Sequence, residues 1–117
     1  MAAEKRQVVA DSNVNFKDLQ NDINFLENIF FKIVRETEDR AKEAKVYCYL
    51  GNAYYNLGDF QKAIEYHERN LKISTEVGDK AGEGIAYVNL GNAYHRLEDF
   101  QKAVPCYKNS VKSLRPH

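Results

Sequence analysis

Apolar residues recur at intervals of three and four along most of the chain, which is the spacing of one face of an α-helix. Such a stripe begins at Tyr47, and a second one begins at Phe60. The short segments Leu57-Gly58-Asp59 and Leu97-Glu98-Asp99 each separate two stripes. Because an Asp side chain accepts hydrogen bonds from the free amides at a helix start, each segment is predicted to end one helix and cap the next.

The sequence repeats itself with a period of about 40 residues. The stretch 39–78 aligns with the stretch 79–117, and both contain the strings LGNAY and DFQKA. Each copy holds two predicted helices and is too small to bury its own apolar face, so the copies are expected to stack on each other.

A longer amphipathic helix is predicted before the two copies. Its apolar stripe is spaced three and four apart and consists of Leu19, Ile23, Leu26, Phe30, Ile33 and Thr37. We therefore expect a flexible tail over 1–13, a long helix over 14–38 that represents a degenerate preceding copy or a cap, and two repeats at 39–78 and 79–117. The predicted fold class is all-α, with about five helices arranged as antiparallel hairpins.

Three residues break the helical pattern. Gly51 and Gly91 lie in the middle of the first helix of each copy, where glycine costs about 1 kcal/mol relative to alanine. Their recurrence predicts a point where another helix crosses closely, so both glycines should be buried. Pro105 lies inside the last helix and predicts a kink near Gln101.

Composition narrows the classes of partner. The chain has 117 residues, and its 17 basic and 17 acidic residues give a formal net charge of zero. This balance argues against nucleic acids and anionic membranes as partners, since both are bound through clustered Lys and Arg. The chain shows no apolar run of roughly 18 residues that could span a membrane and no pattern typical of a signal peptide, so we expect a cytoplasmic protein.

No catalytic or metal-binding motif is found. The sequence has no GxSxG, HExxH, P-loop or GxGxxG string in the required context. Cys48 and Cys106 lie far apart, and His67, His95 and His117 fall in three different elements. We therefore expect no enzyme activity, no metal and no cofactor.

The repeated residues resemble the tetratricopeptide repeat family. Its pattern of an aromatic residue, Leu-Gly, Tyr, and then Ala and an aromatic is matched by Tyr47, Leu50, Gly51, Tyr54 and Ala63, and again by Tyr87, Leu90, Gly91, Tyr94, Ala103 and Tyr107. The chain departs from it at His67, which replaces an aromatic residue, and at Asn70 and Ser110, which replace small apolar residues. The resemblance implies a right-handed α-solenoid.

Two subclasses of the repeat are similar in finer detail. The period of about 40 residues and the strings LGNAY, YHERNLKIS and GDKAGEG are similar to the Pins/LGN subclass. The string AVPCYKNSV, which contains Pro105, is similar to the second helix of kinesin light chain repeats. The first similarity implies a protein-interaction module or scaffold, and the second implies that the helix tolerates proline at this position.

The resemblance also implies that the first helices line a concave groove that receives a peptide. On the helix side opposite the core stripe, the candidate peptide-binding residues are Lys45, Asn52, Tyr55, Asn56, Asn89, Asn92, His95 and Arg96. Asn52 and Asn92 could grip main-chain amides of an extended ligand, while Lys45 and Arg96 favour an acidic one. An equally weighted alternative is that the asparagines bond to a neighbouring helix and steady the stack. The carboxylate-clamp pattern that holds chaperone tails is matched only at Asn52 and Asn89.

Self-association is the rival hypothesis. Two complete repeats are fewer than the three that usually form a stable stack, so apolar residues should remain uncovered at its ends. Homodimerisation, or further repeats of a larger scaffold, would cover the candidate residues Phe25, Ile29, Phe31, Phe100, Tyr107 and Val111.

Overall fold

The computed structural model describes the backbone of residues 2–116 and the side chains of residues 17–116. It contains the helices α1 (Ala2–Glu36), α2 (Arg40–Leu57), α3 (Phe60–Val77), α4 (Lys80–Arg96) and α5 (Phe100–Leu114). No strand occurs in this described part of the chain. The predicted all-α helical repeat with five helices is confirmed.

Helix α1 is longer than the sequence pattern predicts. A tail was predicted over residues 1–13, but the structure begins the helix at Ala2. The chain contains no Gly or Pro before Gly51, and its first residues include Ala, Glu, Lys, Arg and Gln, which are strong helix formers. Nothing in the local sequence therefore stops the helix at residue 14.

An Asp side chain caps each of the four helices that follow α1. The predicted caps Asp59 and Asp99 accept hydrogen bonds from the amides of Lys62 and Lys102 at 3.1 Å and 3.2 Å. Asp39 and Asp79 make equivalent contacts at the starts of α2 and α4. Because each cap satisfies amides that have no partner inside the helix, it defines where the chain turns into the next helix.

The helices pack in chain order, each on the next. A first core lies between α1, α2 and α3, and a second lies between α3, α4 and α5. The buried residues of the first core are Ile23, Leu50, Tyr54, Leu57, Ala63 and Tyr66. Ile64, Leu90 and Ala93 form the centre of the second. Helix α3 contributes to both cores and joins the two hairpins into one stack.

Gly51 and Gly91 are both buried, as predicted. A Cβ added to Gly51 would lie 2.7 Å from ring atoms of His67, and one added to Gly91 would lie 2.7 Å from the Tyr107 ring. Each glycine thus lets a ring of the second helix lie directly against the backbone of the first. His67 occupies the place of Tyr107 in the first hairpin.

The polar residues at positions where the repeat usually has small apolar ones make hydrogen bonds to the backbone. The side-chain amide of Asn70 donates to the Ala44 carbonyl at 2.7 Å. The hydroxyl of Ser110 donates to the Tyr107 carbonyl at 2.6 Å. Because both groups are paired, the two positions remain buried without an unsatisfied polar atom.

The buried face of α1 differs from the predicted stripe. Leu19, Leu26 and Ile33 are about 40% exposed. Two members of the predicted stripe, Ile23 and Phe30, do face the first hairpin, and they are joined there by Glu27 and Phe31. The Glu27 carboxylate accepts hydrogen bonds from the hydroxyls of Tyr54 and Tyr66, so the helix is rotated to bring this charged residue against the hairpin. Apolar spacing alone could not reveal that a carboxylate belongs to the packed side.

Candidate functional site

The predicted peptide-binding residues lie on the sides of α2 and α4 that face away from Leu50 and Leu90; we call this surface the first-helix face. Five of its members are exposed, namely Lys45, Asn52, Asn56, His95 and Arg96. Tyr55, Asn89 and Asn92 are partly buried. The sequence pattern therefore located surface residues, but three of the eight also pack within the fold.

Arg96 joins the C-terminal ends of α2 and α4. Its guanidinium carbon lies 5.8 Å from the centre of the Tyr55 ring and 4.7 Å from the centre of the Phe60 ring. Tyr55 and Phe60 are edge-on at 5.3 Å. His95 is similarly edge-on to Phe100 at 5.4 Å. These side chains form an ordered aromatic and cationic wall at one end of the first-helix face.

The two repeated asparagines have different surroundings. The Tyr107 hydroxyl donates to the side-chain oxygen of Asn92 at 2.6 Å, which links α4 to α5. Asn52 is exposed, and its amide lies 3.9 Å from the Cys48 sulfur on the same helix. Because His67 has no hydroxyl in the place of Tyr107, the first hairpin lacks the interhelical bond. Asn52 is thus the more accessible of the two.

A cavity of about 300 Å³ opens between the N-terminal halves of α2 and α4 and the end of α3. Its lining is mainly apolar and includes Ala44, Cys48, Val77, Ala81 and Ile85. The predicted residue Lys45 also contributes to its wall. A cavity of this size and character can receive one apolar side chain of a ligand.

Two prominent residues of this surface are not among the candidate peptide-binding residues. Tyr49 on α2 is 61% exposed, and Ile85 on α4 is 51% exposed. Tyr49 is the repeat counterpart of Asn89, and Ile85 is the counterpart of Lys45. The alignment of the two copies therefore pairs each of them with a candidate residue and places both on this surface.

The carboxylates of α2 and α4 and the exposed cations Lys45 and Arg96 lie on different sides of these helices. The single carboxylate of α2, Glu43, pairs with Arg40 at 2.8 Å. That of α4, Glu83, accepts from the Ser113 hydroxyl on α5 at 2.8 Å. Both carboxylates are therefore engaged away from the first-helix face, where Lys45 and Arg96 make no ion pair within the described residues. Lys45 and Arg96 therefore leave positive charge exposed on this surface.

The cysteines are partly buried and unpaired. Burial raises the pKa of both thiols, Cys48 and Cys106, which keeps them protonated and weakly nucleophilic at neutral pH. Within residues 17–116, no three His, Cys, Asp or Glu side chains come together as a metal site would require.

The candidate self-association residues lie at opposite ends of the stack. Phe25 and Ile29 are exposed on α1, and Phe100 and Val111 are exposed on α5. The other two residues point inward instead. Phe31 stacks on Tyr66 with ring centres 6.4 Å apart, and Tyr107 packs against Gly91. Phe31 and Tyr107 therefore take part in internal packing.

None of the helices that the structure describes is long and apolar enough to cross a membrane. A search of curated proteins gives no match to the chain. The family model described as "Tetratricopeptide repeat" matches residues 42–115, which span both helical hairpins. Because this match covers well over half of the sequence, the chain belongs to the tetratricopeptide repeat family.

Proposed function

We propose that the chain is a non-enzymatic scaffold module that binds an extended, acidic peptide of a partner protein on its first-helix face. Membership of the tetratricopeptide repeat family indicates a role in protein–protein interaction. The observation that carries the choice of ligand is the pair of cations, Lys45 and Arg96, on a surface from which Glu43 and Glu83 are turned away. The similarity to Pins/LGN repeats and a cytoplasmic location are parts of the same proposal.

The peptide backbone is held by amide groups in this proposal. Asn52 can both donate to and accept from a main chain, whatever side chains the ligand carries. The exposed Tyr49 ring supplies a rigid contact surface beside it. Asn56 and Asn89 extend the polar surface along the two helices.

Specificity comes from charge and from the cavity. A ligand carboxylate pairs with Lys45, whose side chain lines the cavity between α2 and α4. An apolar ligand side chain next to that carboxylate enters the cavity against Val77 and Ile85. The preferred sequence therefore combines an acidic residue with a neighbouring apolar one.

Selection from a displayed random-peptide library tests this proposal directly. We expect enrichment of peptides that carry Asp or Glu beside an apolar residue, and we expect Lys45→Ala to weaken their binding. Asn52→Ala should weaken binding by about 1 kcal/mol, the usual value of an interfacial hydrogen bond. Lys72→Ala on the exposed side of α3 is the matched control. Equal affinities of the Lys45 and Lys72 variants would contradict the proposal.

Self-association is a second candidate function. It is supported by apolar side chains that the fold leaves open at its two ends, including Phe25 at 64% and Val111 at 57% exposure. Within the described residues, helices α1 and α5 are covered by other helices on one side only, by α2 and α3 for α1 and by α3 and α4 for α5. A partner that covers them would bury much more apolar surface.

A further inference from the structure

Each end of the helical stack carries one open apolar stripe. The α1 stripe consists of Leu19, Phe25, Leu26, Ile29 and Ile33, which are 38–64% exposed. The α5 stripe consists of Phe100, Val104 and Val111, which are 49–57% exposed. Successive members fall on one side of each helix at about 100° per residue, so each stripe is a continuous surface.

The internal repeat shows what the α5 stripe is suited to contact. Its members correspond to Phe60, Ile64 and Leu71 of α3, one period earlier. In α3 these three residues belong to the core formed with α4. Ile64 is 6% exposed, whereas its counterpart Val104 is 49% exposed. The α5 stripe therefore has the side chains of a helix-packing surface, and no helix among the described residues covers it.

The two ends also differ in charge. Residues 100–116 contain four cations, Lys102, Lys108, Lys112 and Arg115, and no carboxylate. On α1, the exposed carboxylates Asp18, Asp22 and Glu36 lie in the same angular range as the stripe, with Lys32 at its edge. An α1 end thus attracts an α5 end, while two α5 ends repel each other.

We propose that copies of this chain associate head to tail, with the α1 stripe of one copy packed on the α5 stripe of the next. This inference rests on self-association, the second candidate function, and specifies its geometry. The apolar stripes supply the buried area, and the opposite charges at their margins set the polarity. Since the contact joins two different surfaces, each added copy leaves one α1 stripe and one α5 stripe free.

Two double variants test the geometry by sedimentation velocity over a range of concentrations. The α1 variant combines Phe25→Lys with Ile29→Lys, which places cations opposite the basic α5 end. The α5 variant combines Val104→Gln with Val111→Gln, which removes apolar surface and adds no charge that could pair with the lysines of the α1 variant. The control combines Tyr49→Lys with Ile85→Lys, two residues of similar exposure on the first-helix face. Circular dichroism melts identify any variant that fails to fold.

We expect the average mass of the parent and of the control to rise with concentration beyond that of a dimer. Each variant alone should stay monomeric. An equimolar mixture of the two variants should stop at the dimer, because the intact α5 stripe of one meets the intact α1 stripe of the other.

Two different results would overturn the proposal, one by excluding self-association and the other by excluding the head-to-tail geometry. If the parent stays monomeric at every concentration, self-association itself is wrong. If the α5 variant alone still dimerises, the copies pair symmetrically through α1 and only the head-to-tail geometry is wrong. If the Gln pair fails to fold, Val104→Ser with Val111→Ser replaces it, and the same mixing result is expected.

Discussion

The hydroxyl of Tyr107 donates a 2.6 Å hydrogen bond to the side-chain oxygen of Asn92, and the corresponding pair in the first hairpin, His67 and Asn52, has no such bond. Both asparagines belong to the same LGNAY string. Because His67 stands where the second copy has Tyr107, Asn52 has no hydroxyl to bond with on the second helix and its side chain stays exposed. Identical residues in the two copies therefore have different contacts.

This difference predicts opposite effects of the same substitution. Asn92→Ala should lower the free energy of unfolding by about 1 kcal/mol or more, since it removes an interhelical bond and leaves the Tyr107 hydroxyl without a partner. Asn52→Ala should change stability by less than about 0.5 kcal/mol, as for an exposed position without such a role. Urea denaturation measures both.

A double-mutant cycle with Tyr107→Phe isolates the bond. The two single losses should not add in the Asn92→Ala, Tyr107→Phe variant, because either change removes the same interaction. Additive losses would show that Asn92 acts through other contacts.

Gly51 is predicted to be intolerant of any larger side chain. A Cβ at this position meets ring atoms of His67 at 2.7 Å, so Gly51→Leu must displace the ring or separate α2 from α3. The expected loss is about 1 to 3 kcal/mol, typical of overpacking. Asn52→Leu, on the neighbouring exposed position, is the control and should melt near the parent. A parent-like melt of the Gly51 variant would contradict the close crossing.

The sequence could predict features that depend on local chemistry or on repetition. Asp59 and Asp99 were identified as caps, and Gly51 and Gly91 as sites of close approach, because backbone geometry requires those residue types. The same reasoning selected the first-helix face of Lys45, since helical periodicity separates it from the core.

Features that depend on tertiary partners could not be predicted. The packed side of α1 is set by Glu27, whose partners Tyr54 and Tyr66 come from two other helices. The unequal roles of Asn52 and Asn92 depend on a residue fifteen positions further along the chain in each copy, where His67 or Tyr107 stands. No pattern within one helix contains that information.

His67 should make stability depend on pH. Its side chain is 1% exposed, and burial lowers the pKa of the imidazole from 6.5 to about 4. Between pH 6.5 and pH 4 the His67 imidazole is protonated in the unfolded chain and neutral in the folded chain. The contribution of this residue to the free energy of unfolding is therefore fully present above pH 6.5 and falls as the pH drops towards 4. The expected slope is about 1 kcal/mol per pH unit.

Urea melts between pH 7 and pH 5 check this slope before most carboxylates titrate. In the His67→Phe variant the slope should become much flatter than in the parent. An unchanged slope in the His67 variant would contradict the assignment.

Glu27 is predicted to be the main polar anchor of α1. Its carboxylate accepts from the hydroxyls of Tyr54 and Tyr66, which are buried, and burial followed by the nearby Glu27 charge raises the pKa of both phenols. Glu27→Ala leaves two buried donors unpaired and should cost about 2 kcal/mol. Hydrogen exchange should accelerate in the C-terminal half of α1, whereas the exposed control Asp22→Ala should leave it unchanged. If this half of α1 is equally protected from hydrogen exchange in the Glu27 and Asp22 variants, Glu27 does not anchor the helix.

Glu98 is predicted to be a site where glycine stabilises the fold. It has φ 59°, in the left-handed region, at the place where the first hairpin has Gly58 with φ 91°. A side chain in that region costs roughly 1 to 2 kcal/mol, but glycine loses more backbone freedom on folding, which offsets part of the gain. Glu98→Gly should therefore raise the free energy of unfolding by about 0.5 to 1 kcal/mol. The reciprocal variant Gly58→Glu should lower it by a similar amount, because no atom within 4 Å of the added Cβ would contribute a clash. Urea melts of the two variants should shift in opposite directions, and a shift of both in the same direction would show that backbone strain at this turn is not the controlling factor.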